Sequence, residues 1–259
     1  MNILMIGDVC GDPGLEVVDK VLNKELVNFD FVVANCENSN FDGAGCSKLS
    51  ASRLFDAGVD VLTSGNHWFN SKEVWNWNTN SHRMLRPINF CAVTPGIGIN
   101  SFGDVTVLNL AGRAFMATSS NSFMRTVDEV LSNFSDILMP VILVDFHAET
   151  TFEKNALAHY LDGRVTAVVG THTHVPTADA RILNKNTAFV TDLGMCGVYN
   201  SVIGADKDLA IALLSSEIPV MRHTPCAEAE DGMLQFNGVS IVTDKEGHAI
   251  SIDRFDFVF

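Results

Sequence analysis

The stretch VTAVVGTHTH, residues 165–174, decides how the rest of the chain is interpreted. Its apolar first half, residues 165–169, predicts a buried strand, which places His172 and His174 in the loop at the carboxyl end of that strand. In an open α/β sheet, ligands bind at this edge. Neutral imidazole is also the commonest metal-binding side chain in proteins. A single His-x-His pair is weak evidence, so the other strand ends have to be considered with it.

Four more predicted strands are followed by polar side chains of the metal-binding type. These strands cover residues 2–7, 31–34, 60–63 and 140–145. The side chains that follow them are, in the same order, Asp8, then Glu37 and Asn38, then Asn66 and His67, and finally His147. Each has another interpretation when taken alone: Asp8 could cap a helix, Asn66 could serve a turn, and His147 could be a buried core histidine. Their joint occurrence at strand ends favours one shared metal site.

The alternation of strands and helices predicts a layered α/β fold. Helices are expected at residues 15–26, 47–55, 122–134 and 151–160. Residues 233–242 and 248–259 are expected to form strands joined by a turn at 244–247 and to complete a second sheet. Because the candidate ligands run from residue 8 to residue 174 and no linker interrupts the chain, we expect residues 1–259 to form a single domain.

Composition limits the possible partners. The net charge of −14 argues against a groove for long DNA or RNA, although it permits a small phosphate ester held at a metal centre. The sequence contains neither a signal peptide nor the run of about 18 apolar residues that a membrane span requires, so we expect a cytoplasmic protein without a membrane partner. In that setting the six cysteines are expected to be buried thiols.

The donor set indicates which metals would bind. Carboxylate, imidazole and amide groups without a thiolate suit Mn, Fe or Zn. Seven candidate ligands exceed the needs of one tetrahedral site, whereas two metals sharing a carboxylate would use them all. Glu149 has two interpretations, as a partner that orients His147 or as a solvated carboxylate, and Asp192 has the same two. Trp68, Trp75 and Trp77 are expected to pack in the core or an interface, with stacking on a base as the alternative.

Three blocks carry a family resemblance. Gly7-Asp8, Gly65-Asn66-His67 and the GTHTH segment at 170–174 resemble the signature blocks of calcineurin-like metallophosphoesterases. Asp8-Val9-Cys10 replaces the usual Asp-x-His pair, and Glu37-Asn38 stands where the bridging block falls. These departures resemble one bacterial branch, the YmdB-like cyclic-nucleotide phosphodiesterases, and further matches cover nearly the whole chain. The resemblance implies a four-layer α/β/β/α sandwich.

The resemblance also implies a role for each candidate residue. Asp8, Asn38 and His174 would bind a first metal, Asn66, His147 and His172 a second, and Glu37 would bridge the two. His67 would be the acid beside the phosphate, although Phe69 and Asn70 stand where the family has Trp and Asp. The cofactors would be two divalent or trivalent transition-metal ions, with Fe or Mn expected and Zn as the alternative.

The predicted reaction is hydrolysis of small phosphodiesters by a metal-bridging hydroxide, with His67 protonating the leaving oxygen. The resemblance favours 2′,3′-cyclic nucleoside monophosphates as substrates. Two alternatives stay open at this point. One is a broader phosphomonoesterase or nuclease with the same centre, and the other is a non-catalytic signalling or scaffold protein structured by metal. A homo-oligomer is compatible with the sequence.

Overall fold

The computed structural model describes residues 1–23, 28–71, 73, 83–133, 135, 138–216, 225–229 and 232–259. Within these ranges the α-helices are α1 (Gly11–Leu22), α2 (Lys48–Asp56), α3 (Phe123–Asn133), α4 (Thr151–Leu161) and α5 (Lys207–Leu214). A short 3-10 helix covers Asn66–Asn70. None of the helices in this part of the chain is long and apolar enough to cross a membrane.

The described strands form two sheets. The first contains β1 (Asn2–Cys10), β2 (Phe31–Asn38), β3 (Val61–Thr63), β10 (Met195–Val198), β11 (Leu234–Phe236), β12 (Gly238–Thr243), β13 (Ala249–Arg254) and β14 (Phe257–Val258). The second contains β4 (Ile99–Phe102), β5 (Val105–Ala111), β6 (Val141–His147), β7 (Ala167–Thr171), β8 (Arg181–Ile182) and β9 (Ala188–Val190). Its order is β4-β5-β6-β7-β9-β8, with the four central strands parallel and the two edge strands antiparallel.

Strand β1 lies at the centre of the first sheet, and one of its two edges pairs with two different strands in succession. Its other edge pairs in parallel with β2, which continues to β3. Residues 2–6 pair antiparallel with β12, whereas Asp8 and Val9 pair in parallel with β10. At the change of partner, a Cβ on Gly7 would lie 2.1 Å from the carbonyl oxygen of Gly194. The close approach of two backbones therefore requires the glycine, since Gly7 lies inside β1 and makes no sharp turn.

Alternating side chains of β1 contribute to two different layers of the core. Ile3 and Met5 lie between the two sheets, whereas Leu4 and Ile6 belong to the cluster formed with α1 and α2. A third apolar cluster joins the outer face of the second sheet to α3 and α4. The central strands β1, β2, β6 and β7 are covered on both faces and are therefore nearly continuous apolar runs. The four-layer α/β/β/α sandwich is confirmed.

Two expectations on individual elements were wrong. Helix α1 begins at Gly11, four residues before the predicted start, because the chain enters the helix directly from β1. The late hairpin of β12 and β13 exists, but it extends the first sheet beside β1, and the second sheet is built from strands between residues 99 and 190. The predicted ends of the first and third helices, at residues 24–26 and 134, lie outside the described residues. The assignment of residues 1–259 to one domain stays a prediction.

Candidate metal centre

The carboxyl ends of five parallel strands, three from the first sheet and two from the second, meet at one end of the sandwich. Asp8, Glu37 and Asn38 lie in the last residues of β1 and β2, and Asn66 and His67 begin the 3-10 helix after β3. His147 ends β6, and His172 and His174 follow β7. The structure therefore brings together the eight residues that the sequence singled out, while their roles stay predictions.

Four of these residues form what we call the deep group: Glu37, Asn66, His147 and His172. Nε2 of His147 lies 2.9 Å from Oε1 of Glu37, 3.2 Å from Oδ1 of Asn66 and 3.0 Å from Nδ1 of His172. A ring nitrogen has at most one proton to donate, so it can satisfy only one of these three atoms. Lone pairs that converge in this way fit a bound cation. The ligand atoms of Glu37, His147 and His172 all lie within 4.8 Å of one another.

Hydrogen bonds behind His147 determine which of its nitrogens faces the group. The hydroxyl of Thr171 donates to Oδ1 of Asp145 over 2.7 Å. Its oxygen then accepts from Nδ1 of His147 over 2.9 Å. Nδ1 therefore carries the proton, and Nε2 presents its lone pair to the deep group. Burial lowers the pKa of His147 well below its usual value and the pKa of His172 to about 3, so both rings are neutral near pH 7.

The other three candidate ligands, Asp8, Asn38 and His174, form the outer group. Nε2 of His174 lies 3.2 Å from Oδ1 of Asn38 and 3.9 Å from Oδ1 of Asp8. Nδ1 of His174 donates to the backbone carbonyl of Ile203 over 2.8 Å, which leaves Nε2 as the nitrogen that faces the group. The family resemblance implies one metal at the outer group and another at Asn66, His147 and His172, with Glu37 bridging the two, and this assignment stays a prediction.

The environment of Asp8 gives a direct test of whether the residues fit a cation. Its Oδ2 accepts from the backbone N–H of His172 over 3.1 Å, whereas its buried Oδ1 has no hydrogen-bond partner among the described residues. Burial, with the negative charges of Asp192 and Glu37, raises the pKa of Asp8 well above its usual value. Burial also raises the pKa of Glu37. A cation would offset the cost of burying these two carboxylates in their charged form, so the residues present fit a metal.

The loop after β7 is held in an unusual backbone conformation. The φ angles of His172 and His174 are 104° and 65°, both in the left-handed region that is costly for residues other than glycine. Between them, the N–H and hydroxyl of Thr173 donate to Oδ2 of Asp192 over 3.2 and 2.8 Å. Asp192 is in turn paired with Nζ of Lys154 at 2.7 Å, in a completely buried ion pair. The buried pair stabilises the conformation that brings both imidazoles to the site.

Gly65 is required because the loop after β3 passes very close to the donors. A Cβ at this position would lie 2.1 Å from Cδ2 of His147 and 2.2 Å from Oε2 of Glu37. Its φ of −153° lies outside the left-handed region, so the close approach is the reason for the glycine. Any larger residue here would displace the deep group.

His67 lies beside the donors rather than among them. Its backbone N–H donates to Oε2 of Glu37 over 3.2 Å, and its side chain lines a cavity of about 290 Å³. His172 and His174 also line this cavity, and so do the apolar residues Val202 and Ile203. The position of His67 therefore agrees with a group that touches a bound phosphate ester.

Sequence reasoning missed several supporting residues. The side-chain amide of Asn35 donates to Oδ2 of Asp145 over 3.0 Å. The other two are Thr171, which orients His147, and Lys154, which pairs with Asp192. Lys154 shares the buried face of α4 with Leu157, Ala158 and Leu161, and a lysine on such a face is the signal that could have revealed the ion pair.

Other expectations were partly corrected. Oε2 of Glu149 lies 3.1 Å from Nε2 of His172 and is therefore a partner of that ring, not of His147. Trp68 packs in the core. All six cysteines are free thiols, four of them buried. Trp75 and Trp77 lie outside the described residues.

The chain is similar in sequence and in structure to known proteins. A family model described as YmdB-like protein matches residues 4–255. The 2′,3′-cyclic-nucleotide 2′-phosphodiesterase of Bacillus subtilis is 38% identical over 261 residues, covering 98% of this chain and 96% of that protein. The crystal structure of a hypothetical protein from Thermus thermophilus superposes with a TM-score of 0.89 at 37% identity, covering 100% of this chain and 99% of that chain.

A second solved structure, a phosphatase from Mycoplasma pneumoniae, has a TM-score of 0.88 at 31% identity and covers 100% of this chain and 93% of that chain. The family match spans both sheets and every strand end that contributes to the metal centre. The family model, the sequence identities and the two superpositions together show that the chain belongs to the YmdB-like protein family.

Proposed function

We propose that this chain is a dinuclear metal-dependent phosphodiesterase that hydrolyses 2′,3′-cyclic nucleoside monophosphates. The broader class, a hydrolase acting on phosphoric ester bonds, follows from its family and the names of its relatives. The name of the Bacillus subtilis relative supports the cyclic-nucleotide substrate. The donor chemistry supports Fe or Mn as the metals, with Zn as the alternative.

The observation that carries the proposal is the convergence of unsatisfied lone pairs. Nε2 of His147 faces three further donor atoms within 3.2 Å, and the buried Oδ1 of Asp8 has no hydrogen-bond partner in the described structure. Without a cation, such an arrangement would be destabilising, because buried polar atoms need partners. The deep and outer groups would each hold one ion, and Glu37 would lie between them.

Bound metals would supply an activated water and positive charge for the phosphoryl oxygens. The residues of the chain have their own tasks in the reaction. His67 lines the cavity next to the donors, where its imidazolium form would give a proton to the leaving ribose oxygen. The backbone N–H of His67 holds Oε2 of Glu37, so the acid and the proposed bridging carboxylate keep a fixed relative position.

The size of the cavity and the net charge of the whole chain favour a small substrate. The cavity of about 290 Å³ lies at the lower limit of small-ligand pockets. The net charge of −14 opposes the approach of a long polyanion, most strongly at low salt. A cyclic mononucleotide meets both limits better than an RNA strand does.

The proposal is tested by metal content and product identity together. Protein purified without chelator should contain about two transition-metal ions per chain, as a two-metal site requires. It should convert adenosine 2′,3′-cyclic monophosphate into the 3′-monophosphate, detected by chromatography. Full activity with one ion would contradict the dinuclear site. Degradation of long RNA without turnover of cyclic mononucleotides would indicate a nuclease, and a metal-loaded protein that hydrolyses no phosphoester would indicate a scaffold.

A further inference from the structure

One turn at the mouth of the cavity has a residue that does not suit its backbone. Val202 and Ala205 exchange backbone hydrogen bonds of 3.0 and 2.9 Å around a two-residue turn. The central residues, Ile203 and Gly204, have φ angles of 48° and 93°. Turns with two left-handed residues favour Asn, Asp or Gly at the first central position. A β-branched residue there is an outlier, so the isoleucine requires an explanation.

The surrounding structure holds this turn firmly. The hydroxyl of Ser201 donates to the carbonyl of Val198 over 2.7 Å and accepts from the N–H of Gly204 over 2.9 Å. The carbonyl of Gly204 accepts from the N–H of Ala227 over 2.8 Å. Strained residues persist where their surroundings determine the conformation, and they cluster at functional sites. The strain at Ile203 is therefore a maintained feature of the fold.

The side chain of Ile203 belongs to none of the three apolar clusters of the described structure. It is 55% exposed and lines the cavity together with Val202. His67 and His174 line the same cavity. The backbone carbonyl of Ile203 accepts from Nδ1 of His174, which fixes the turn next to the outer group. Apolar side chains and the groups that would hold a phosphate therefore share one cavity.

We infer that the turn of residues 202–205 is a subsite for the nucleobase of the substrate, with Ile203 as the specificity-determining residue. This inference rests on the proposed function. The polar groups that line the cavity would bind the phosphate, and the side chains of Val202 and Ile203 would pack against the face of a planar base. Because apolar contact is non-directional, the subsite would distinguish nucleotides from phosphate esters that have no base, without selecting one base.

Replacement of Ile203 by asparagine tests the subsite. Asparagine accepts the left-handed conformation, so the turn and its carbonyl bond to His174 should remain, while the apolar surface is lost. Binding of adenosine 3′-monophosphate and of inorganic phosphate to the metal-loaded full chain is measured by calorimetry. We expect Ile203→Asn to weaken nucleotide binding about 5-fold through the lost apolar contact and to leave phosphate binding unchanged.

Ile211→Asn is the matched control. Ile211 is 58% exposed on α5 and does not line the cavity, so this variant should bind both ligands like the wild type. Uridine 3′-monophosphate should show the same loss with Ile203→Asn as the adenosine compound, because the contact does not read hydrogen-bonding groups.

The possible results separate the subsite from the proposed function. Unchanged nucleotide affinity in Ile203→Asn would overturn the subsite. An equal loss of nucleotide and phosphate affinity would also overturn it, since the residue would then act only through His174. A wild-type protein that binds the nucleotide no more tightly than phosphate would refute the subsite and leave the phosphoesterase intact. Metal-loaded protein that binds neither ligand would refute the proposed function itself.

Discussion

The deep and outer donor groups contain similar side chains but differ in how two of their histidines, His147 and His174, are oriented. The side chain of His147 is completely buried and lies 2.9 Å from Glu37, with its tautomer fixed through the side chains of Thr171 and Asp145. The side chain of His174 is 13% exposed and lies 3.9 Å from Asp8. Its Nδ1 donates to a single backbone carbonyl, that of Ile203 at the cavity.

The difference indicates unequal sites rather than two copies of one site. Ligands that are fixed in advance bind a metal more tightly, because less conformational freedom is lost on binding. The deep group should therefore retain its ion more firmly, whereas the outer group should exchange its ion and lie nearer to the substrate. Substitutions at the donors and at the residues that support them would test this inequality, and the bridging carboxylate should show the largest effect.

Glu37→Gln should affect both groups at once. The substitution keeps the size of the side chain but removes the charge proposed to lie between two cations. We expect less than one ion per chain by elemental analysis and a loss of phosphodiesterase activity on the order of 10³-fold, equivalent to several kcal/mol of lost charge stabilisation. Glu129→Gln, on the exposed side of α3, is the control and should retain both ions. Unchanged metal content in Glu37→Gln would refute the bridging role.

His147→Asn and His174→Asn compare the two groups directly. His147→Asn removes the central nitrogen of the deep group and should release the more tightly held ion, which lowers activity about 10²-fold or more. His174→Asn should keep the deep ion through dialysis and lose only the outer one. Metal content after dialysis against increasing chelator measures the difference. Identical release curves for the two variants would contradict the inequality.

His67→Asn should separate catalysis from metal binding, because His67 belongs to neither group. Both ions should remain, while hydrolysis of a cyclic nucleotide should fall by about 10²–10⁴-fold, the usual contribution of a general acid. The loss should be smaller with a p-nitrophenyl phosphodiester, whose leaving group departs without a proton. Equal losses on both substrates would assign His67 to phosphate binding, and loss of metal would make it a ligand.

Thr171→Val should have the smallest effect and should act on the deep group alone. The variant cannot accept the proton of Nδ1 of His147, so the correct tautomer is no longer fixed. Loss of such supporting partners typically lowers metal affinity about 10–100-fold. Competition with a fluorescent chelator should show weaker binding of one ion and unchanged binding of the other. A change in the outer ion alone would reverse the proposed assignment.

The sequence was sufficient to predict which polar residues meet at one end of the sandwich, because parallel strands buried on both faces are conspicuous apolar runs. Glu37, His147 and His172 each stand at the end of such a run, and the carboxyl ends of the strands meet in any fold of this class. A polar residue at that edge is therefore informative even when its neighbours in space are unknown.

The supporting network could not be predicted in the same way. Asn35, Asp145 and Thr171 lie in three different strands, and their hydrogen bonds depend on which strands are neighbours. The hairpin of β12 and β13 was assigned to the wrong sheet for a similar reason. Side-chain alternation identifies a strand and its buried face, but it does not identify the strand's partner.

The pairing of β1 with β12 has a consequence for how the protein folds during synthesis. Ile3 is paired with Ile241, so during synthesis this edge of β1 remains without its partner until 238 further residues have been made. At about 5–20 residues per second, that delay lasts on the order of ten seconds or more. An unpaired apolar strand edge invites association with other chains. The nascent chain should therefore depend on chaperones, and its refolding from denaturant should be slow and sensitive to concentration.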